Sequence, residues 1–503
     1  MILGPPDNLA ATTLDNLFRR AVARRPDEIA VADPPNRQAF TDGPPRRLSY
    51  DEADRVVSAI AARLRKLSLP RDAVVGIQLP NTVESVLALL AVLRAGMIAA
   101  PLPFLWRRTE AVAALGLLDA KAIITTSRAG EFRPCALAME VAAAVFPIRH
   151  VASFGTNLAD GVISLDETLS GAPVPESSPE PGSHAAAHVA VVTFDVTPGG
   201  IVPVARNHAE LIAGGLATLL EGGIAPDARL LGCCATGSFA GLALTVMPWL
   251  LSGGMLSLHH GFDANAFAAQ SRVDRCDTLV VPGALVPQLT SAGLLAYPEL
   301  KNIIAYWRAP ERLAMSPAWR PSNASLTDML AFGETALIGS RRDADGVTVP
   351  LPAGPVTAPR DRSGAVTIAE TARTASGTVA LRGSMVPRHA FPPGAEQLGA
   401  PHLKADAQGF VDTAFACRLD RMTGTLTVTG PPPGSVSVGG YRFVMAELED
   451  TVRRTNSGAF VTALPDTLAG HRLAGISGEG ARIHAALTEI GVNPLVADAF
   501  RAV

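Results

Sequence analysis

The sequence predicts an α/β protein built on parallel sheets and followed by a β-rich part. Helical patterns alternate with short apolar runs through the first half of the 503 residues, and strands that alternate with helices are typical of parallel sheets. The runs are apolar throughout, not at every second position, as expected of strands covered on both faces. At roughly 150 residues per domain, the length indicates about three domains.

Three helices are predicted in the first hundred residues, at 13–24, 49–67 and 83–95. The second begins with Ser49, followed three residues later by Glu52, which is the spacing of a capping box. A further helix is expected to start near Asn207.

Short apolar or β-branched runs predict the strands. They occupy residues 73–78, 97–102, 122–126, 187–194, 255–259 and 278–281, and then 365–368, 377–381 and 426–429. Two Pro-rich tracts, at 172–183 and 341–364, predict surface loops.

The sequence GPPPG at 430–434 is the strongest break in the chain. Glycine and proline clusters of this kind end regular structure and are typical of connections. We therefore predict a large N-terminal domain at 1–430 and a small C-terminal domain at 431–503.

One stretch has the composition of a membrane-spanning helix. Residues 230–262 contain no Asp, Glu, Lys or Arg, and charge-free runs of this length normally indicate such a helix. Six glycines and one proline interrupt the run, and two histidines lie near its end. We predict a buried helix followed by a buried strand, and no membrane span.

Composition excludes several classes of protein. Gly and Pro together make 85 residues, about 17%, below the ~25–30% of low-complexity chains. The formal charge of −3 gives no field that attracts nucleic acid or anionic lipid. Five cysteines without metal-ligand spacing, and no signal-peptide pattern in the first thirty residues, predict a cytoplasmic protein without structural zinc.

The segment 190–209, AVVTFDVTPGGIVPVARNHA, is a candidate phosphate-binding turn. An apolar strand runs into a Thr- and Gly-rich turn and then into a helical stretch, a layout that can present N–H groups and hydroxyls to phosphate oxygens. By itself the signal is weak, because a strand-to-helix turn with glycine occurs in most α/β proteins.

Five further segments occur in an order typical of one family. They are LSYDEADRVVSAIAARLRKL (48–67), VVGIQLPNTVESVLALLAVLRAGMIAAPLP (74–103), MLAFGETAL (329–337), GTVALRG (377–383) and SVGGYRFVMAELED (437–450). With segment 190–209 they resemble the AMP-forming acyl-CoA synthetase and adenylate-forming ligase superfamily across nearly the whole chain. The resemblance implies two α/β subdomains, a β-rich subdomain and a small, mobile C-terminal α+β lid.

The resemblance also implies an activity and its cofactors. In this family a carboxylic acid reacts with ATP to give an acyl-adenylate, which is then transferred to a thiol, usually that of coenzyme A. Thr193 and Thr197 would lie in the phosphate loop. Phe332, followed by Gly333, would stack on adenine, and Thr335 would contact the α-phosphate.

The sequence departs from the family pattern at its charged positions. The phosphate loop has no lysine, and Asp195 puts a carboxylate where triphosphate would lie, which is repulsive by about 1 kcal/mol in water at 4 Å. Ala336 stands in place of the Mg²⁺-binding carboxylate, and Glu334 lies roughly 6–7 Å too far back along an extended chain. Phe415 stands in place of the ribose-binding carboxylate.

Lysines occur at positions 66, 121, 301 and 404 and nowhere from 405 to 503. The lysine that the family uses in adenylation is therefore expected to be missing from a shortened lid. We assign no catalytic residue and expect no bound Mg²⁺. A purely structural interpretation makes Phe332 a core residue and Glu334 a solvated side chain.

The other candidate residues give little indication of catalytic chemistry. Ser238 lacks the spacing of a hydrolase nucleophile. Cys233 and Cys234 are expected to be buried thiols, and His208 a structural or capping residue rather than a catalytic one.

Three functional hypotheses follow. The first is a pseudoenzyme that binds an acyl or aryl ligand, such as a carboxylic acid, or a nucleotide, without adenylation. The second is a working acid–CoA ligase in which Arg206 or another arginine replaces lysine. The third is a structural or regulatory partner of a paralogue, with the apolar run as an interface, and a homodimer is also considered. Gly237, Phe239 and Gly241 are candidate pocket walls, and the two glycines predict a wider pocket for the acid.

Overall fold

The computed structural model describes residues 12–170, 185–320, 324–358, 366–397, 399 and 401–501. The elements up to residue 170 are α1 (Leu14–Arg24), β1 (Ile29–Ala32), α2 (Arg37–Phe40), β2 (Arg47–Ser49), α3 (Tyr50–Arg65), β3 (Val74–Ile77), α4 (Val83–Arg94), β4 (Ile98–Pro101), α5 (Arg108–Leu117), β5 (Ala122–Thr126), α6 (Pro134–Ala144), β6 (His150–Phe154) and β7 (Ile163–Ser164).

The middle of the chain carries β8 (Val189–Thr197), β9 (Gly200–Asn207), α7 (His208–Glu221), β10 (Arg229–Gly232), α8 (Phe239–Gly241), α9 (Met247–Ser252), β11 (Met255–Leu258), α10 (Ala264–Val273), β12 (Thr278–Pro282), α11 (Val286–Ser291), β13 (Asn302–Trp307), β14 (Ser325–Phe332) and β15 (Ala336–Ser340).

The remaining elements are β16 (Leu351–Pro352), β17 (Gly354–Ala358), β18 (Val366–Arg373), β19 (Thr378–Arg382), β20 (Val411–Asp420), β21 (Thr425–Gly430), β22 (Ser435–Val438), β23 (Tyr441–Val444), α12 (Met445–Thr455), β24 (Phe460–Asp466), β25 (Gly470–Ile476), α13 (Gly480–Ile490) and α14 (Pro494–Ala497).

Two largely parallel sheets form the first part of the chain, as predicted. One has the strand order β7-β6-β5-β3-β4-β8-β9, and the other β15-β14-β13-β12-β10-β11-β1-β2. Antiparallel pairs occur at their edges, between β8 and β9, β14 and β15, and β1 and β2. The central strands are buried along their whole length, which explains their continuous apolar sequences.

The predicted helices are confirmed as α1, α3, α4 and α7. At the start of α3, Ser49 Oγ accepts the Glu52 N–H at 3.2 Å and Glu52 Oε2 accepts the Ser49 N–H at 2.8 Å, so the capping box is present. Helix α4 is buried on nearly all sides, in keeping with its apolar sequence VESVLALLAVLR. Asn207 caps α7, accepting the Glu210 N–H at 2.8 Å.

The apolar run at 230–262 is confirmed as a buried strand, helix and strand. The chain is helical from Phe239 to Ser252, with a π-helical stretch at Leu242–Val246, and all these side chains are buried. Within the described ranges, no helix is both long and apolar enough to cross a membrane. Because this helix packs inside the protein, the expectation that the run supplies an external interface is wrong.

Two loop expectations require correction. The predicted turn after β8 leads into a further strand, β9, at the edge of its sheet, where Pro203 is tolerated because an edge strand needs fewer N–H donors. The tract at 341–364 is not all loop, since β17 pairs with β18 and buries Val356 and Ala358. The tract at 172–183 lies outside the described residues.

The β-rich part is an antiparallel six-stranded sheet of order β16-β21-β20-β19-β18-β17. It ends at Gly430, and a four-stranded sheet of order β23-β22-β25-β24 begins at Ser435. That second sheet packs with α12 and α13 around a hydrophobic cluster of its own, formed between residues 436 and 500. The domain boundary near residue 430 stays a prediction; residues 435–501 are called the C-terminal unit below.

His208 joins the start of α7 to the start of α1. Its Nδ1 accepts the Leu14 N–H at 3.3 Å, and the side chain is buried. Burial lowers the pKa of His208 from 6.5 to about 4, and it also lowers the pKa of His260 to about 4. The ring therefore acts as a neutral acceptor, which agrees with the structural role expected for this histidine.

Lowering the pH should begin to destabilise the protein near pH 6.5, which is well above the pH at which carboxylates protonate. A folded-state pKa below the unfolded value means that stability is complete above pH 6.5 and falls as the pH falls from 6.5 towards 4. Urea unfolding at pH 8 and pH 5 should differ by roughly 1–2 kcal/mol per buried histidine. His208→Gln should reduce this difference, whereas the exposed control His389→Gln should not; equal pH dependence in both variants would contradict the assignment.

Candidate functional site

A cavity of about 250 Å³ lies where six parts of the chain meet. These are the segment between β4 and α5, the β8–β9 hairpin, the segment between β10 and α8, the end of β13, the turn between β14 and β15, and residues 437–442 of the C-terminal unit. The carboxyl ends of the parallel strands β10 and β13 lead into it, and ligands bind at this edge in many open α/β sheets. Among the five residues predicted to bind nucleotide, Gly333 lines the cavity, whereas Thr193, Thr197, Phe332 and Thr335 do not.

The candidate phosphate turn is a tight hairpin. Thr197 pairs with Gly200, which leaves a two-residue loop, Pro198-Gly199. The Thr197 hydroxyl accepts the Gly199 N–H and donates to the Gly200 carbonyl, both at 3.2 Å. Thr193 is buried and its hydroxyl donates to the Val204 carbonyl at 3.5 Å. Both hydroxyls therefore serve the hairpin itself.

Asp195 connects three parts of the structure. Its Oδ1 forms an ion pair with Arg442 Nη1 of the C-terminal unit at 2.7 Å, and its Oδ2 accepts the Glu334 N–H at 3.1 Å. The carboxylate is only 11% exposed, so these bonds compensate for lost hydration. The hairpin, the 332–335 turn and the C-terminal unit consequently meet at one carboxylate.

The 332–335 turn depends on glycine at its second position. Gly333 has φ +55°, and a Cβ there would lie 2.2 Å from Asp195 Oδ2. Phe332 is buried and packs edge-on against Phe415, with ring centroids 5.5 Å apart. Thr335, also buried, donates its N–H to the Phe332 carbonyl at 2.9 Å. The core interpretation of Phe332 agrees with this packing.

Glu334 is buried, so the expectation of a solvated side chain is wrong. Its Oε2 accepts the Phe239 N–H at the start of α8 at 2.7 Å, and its Oε1 pairs with Arg308 Nη2 at 3.3 Å. Burial raises the pKa of this carboxyl, and Arg308 opposes the rise. The reversal of the chain at Gly333 turns the side chain towards α8, an orientation that the assumption of an extended segment did not allow for.

Arg206 lies behind the cavity and is 1% exposed. Its Nη2 donates to the Glu334 and Thr335 carbonyls, and its guanidinium carbon lies 3.7 Å from the Phe239 ring centroid. Burial lowers its pKa to about 10. The side chain holds the 332–335 turn in place and does not line the cavity.

Two of the three residues predicted to form the pocket wall lie there. Gly237 and Gly241 line the cavity, and Phe239 packs on Arg206 instead. A Cβ at Gly237 would lie 2.5 Å from the Leu102 carbonyl oxygen, and one at Gly241 would lie 1.9 Å from that of Ala235. These glycines allow backbone segments to approach each other, so the explanation that they widen the pocket is wrong.

The remaining polar groups on the cavity wall are structural. Ser238 caps α8, its hydroxyl accepting the Gly241 N–H at 3.2 Å. Burial raises the pKa of the Cys234 thiol to about 12 and that of Cys233 well above its ordinary value, which keeps both protonated. Within the described ranges, no group of three or more His, Cys, Asp or Glu side chains is arranged to hold a metal ion.

Further contacts hold the C-terminal unit against the rest of the chain. The Tyr441 hydroxyl accepts the Leu105 N–H at 3.1 Å, and Glu110 Oε1 accepts the Asn493 N–H at 2.9 Å. Arg312 donates to the carbonyls of residues 466 to 468. Sequence reasoning singled out neither Arg308 nor Arg442; the unusual Asp195 was the one signal that a compensating arginine had to lie nearby.

Replacing Gly333 with alanine should be more harmful than the same change at a comparable glycine. Gly130 has φ +64°, close to that of Gly333, and a Cβ there meets nothing within 4 Å. Gly130→Ala should cost about 1–2 kcal/mol for left-handed strain, and Gly333→Ala a further ~1–3 kcal/mol because the Asp195 carboxylate must move. Urea unfolding of both variants checks this; equal losses would show that the carboxylate yields freely.

The Asp195–Arg442 pair should show a measurable coupling energy. A double-mutant cycle with Asp195→Asn and Arg442→Gln is expected to give about 1–3 kcal/mol, because both side chains are mostly buried. The exposed helix pair Arg453–Glu449 provides the control, for which about 0.5 kcal/mol or less is expected. Equal coupling energies for the two pairs would contradict the central position given to Asp195.

Comparison with known proteins places the chain in a family. A family model described as AMP-binding enzyme matches residues 18–336. The beauvericin nonribosomal cyclodepsipeptide synthetase of Gibberella fujikuroi is 35% identical over 92 residues, which is 18% of this chain and 3% of that protein. The match thus covers a small fraction of that relative's length.

Solved structures share the fold at low sequence identity. The amide bond synthetase McbA from Marinactinospora thermotolerans has a TM-score of 0.69 at 17% identity, covering 96% of this chain and 94% of that one. NpsA-ThdA, an artificially fused adenylation–PCP di-domain from Klebsiella oxytoca, has a TM-score of 0.68 at 17% identity, covering 98% and 93%. The chain therefore belongs to the AMP-binding enzyme family and has the fold of adenylate-forming ligases.

Proposed function

We propose that the protein binds a carboxylic acid or acyl ligand in the cavity and does not convert it to an adenylate. The observation that carries the proposal is the Asp195–Arg442 ion pair at 2.7 Å. It places a carboxylate at the phosphate-loop position, where it already engages Arg442 and offers a triphosphate no hydrogen-bond donor. Family membership supplies the expectation of an acid ligand, and the replaced charges remove the means of activating it.

The hairpin supports this proposal because its donors are already used. The Gly199 N–H binds the Thr197 hydroxyl, and the strands pair in register up to Thr197 and Gly200. A phosphate needs several free N–H groups or a lysine, and the turn contains no lysine. The residues present therefore do not fit a bound triphosphate.

The residues at the positions expected to bind the nucleoside and the metal ion also argue against ATP binding. Phe415 is buried against Phe332, so neither ring is free to stack on a base, and no carboxylate replaces Phe415 for the ribose hydroxyls. Ala336 carries no metal ligand, and both oxygens of Glu334 are engaged by Phe239 and Arg308. ATP and Mg²⁺ do not fit the residues present, and no reaction step is assigned to them or to coenzyme A.

A second candidate is an active acid ligase that uses arginine in place of lysine. It is favoured by the two arginines on the cavity wall, Arg308 and Arg442, and by the fold shared with an enzyme described as an amide bond synthetase. Arg206, which was the arginine singled out for this role, is buried behind the 332–335 turn. A wide guanidinium fork also replaces a lysine point charge poorly.

Calorimetry on the intact protein tests the proposal. We expect no heat of binding from ATP with Mg²⁺ or from AMP, while carboxylic acids bind. Pyrophosphate exchange in the presence of the same acids should stay at background. Micromolar, magnesium-dependent ATP binding, or acid-dependent exchange, would overturn the pseudoenzyme proposal in favour of the ligase.

A further inference from the structure

Two arginines from distant parts of the chain line the same cavity. Arg308 directly follows β13 of the eight-stranded sheet, and Arg442 lies on β23 of the C-terminal unit. Each has one carboxylate partner through one nitrogen: Arg308 binds Glu334 at 3.3 Å, and Arg442 binds Asp195 at 2.7 Å. A guanidinium offers five N–H donors in a planar fork, so both retain donors beyond these ion pairs.

The two carboxylates are fixed from behind by backbone N–H groups. Phe239 donates to Glu334 and Glu334 donates to Asp195, at 2.7 and 3.1 Å. The acids therefore orient the arginines. The side chain of Arg308 is 32% exposed while that of Glu334 is 1% exposed, so the guanidinium is the accessible member of its pair.

Accessibility separates these arginines from Arg206. Nε and Nη1 of Arg206 are buried without a partner, whereas no nitrogen of Arg308 or Arg442 is in that condition. Both arginines line the cavity, whereas Arg206 does not.

The local charge favours an anion. Among the described residues, three charged side chains line the cavity, Arg308, Arg442 and Asp195, so the wall itself carries one excess positive charge. A single carboxylate from a ligand would balance it. Charge-assisted bonds from a planar fork to a carboxylate are among the strongest polar contacts available to a ligand.

The aromatic residues on the cavity wall favour a flat, compact ligand. Trp106 and Phe194 line the cavity with ring centroids 5.5 Å apart, and Phe104 lies beside them. The cavity has a volume of about 250 Å³. This is at the small end for ligand pockets and suits a single-ring acid better than a long acyl chain.

From these features we propose that Arg308 and Arg442 together bind the carboxylate of a single-ring aromatic acid, whose ring packs on Trp106 and Phe194. The inference rests on the proposed function, since it names the acid and the residues that hold it. Both arginines contact the ligand, so the acid is held by the large part of the chain and by the C-terminal unit at once.

Calorimetry with benzoate, benzamide, hexanoate and inorganic phosphate tests this assignment on the intact protein. Benzoate should bind at least about tenfold more tightly than benzamide, which has the same shape without the charge. Arg308→Gln and Arg442→Gln should each weaken benzoate binding by about tenfold or more, with Arg308→Lys less affected. Arg482→Gln, an exposed arginine of the C-terminal unit, is the matched control and should bind benzoate as the parent does.

Asp195→Asn separates ligand contact from a structural role for Arg442. If Arg442 binds the acid, removing its charged partner frees the guanidinium, and benzoate affinity should be kept or increased. If Arg442 serves only to hold the C-terminal unit, Asp195→Asn should weaken binding as Arg442→Gln does, which would overturn the inference. Thermal unfolding of each variant identifies those that fail to fold.

The two proposals can fail separately. Hexanoate binding without benzoate binding, equal binding of benzoate and benzamide, or phosphate binding as tight as benzoate would overturn the aromatic-acid assignment and leave acid binding in place. Binding of none of the acids would overturn both. Magnesium-dependent ATP binding would overturn the absence of adenylation, whatever the arginine variants show.

Discussion

The arrangement of the cavity depends on one buried carboxylate, that of Asp195. A carboxylate withdrawn from water must be hydrogen-bonded or paired, and here the partners come from two distant segments, Arg442 and the Glu334 N–H. The position of the Asp195 carboxylate also requires glycine at position 333, because a Cβ there would have no space. The hairpin, the turn and the C-terminal unit are thus placed relative to one another by a group that a nucleotide-binding loop would not contain.

The other charged residues around the cavity follow from the same constraint. The Glu334 side chain points inward because the chain reverses at Gly333. Its carboxylate accepts the N–H at the start of α8 and orients Arg308 through an ion pair. Arg206 donates hydrogen bonds to the carbonyls of the same turn, and two of its buried nitrogens are left without partners. A buried charge of this kind is costly, and it is tolerated because the carboxylates of Glu334, Glu210 and Asp195 lie close by. The result is a connected charge network rather than a set of independent substitutions.

Sequence reasoning predicted the parts of the structure that depend on local pattern. The apolar strands and the capping box at Ser49 are both readable from neighbouring residues. It did not predict that Glu334 is buried or that Gly237 allows a close backbone approach, because both depend on contacts with segments far away in the chain. The Asp195–Arg442 pair joins residues 247 positions apart, and only the unexplained charge on Asp195 pointed towards it.

Under the proposed function, a single substitution is not expected to restore nucleotide binding, because the charged residues form a connected network. Replacing Asp195 by glycine would leave Arg442 without its carboxylate and raise the excess positive charge, yet the hairpin would keep its two-residue loop. Phe415 would still pack against Phe332. Since contacting residues contribute non-additively, the phosphate, ribose and metal positions have to change together. Under the proposed function, adenylation is therefore prevented by several coupled positions and not by the lack of one residue.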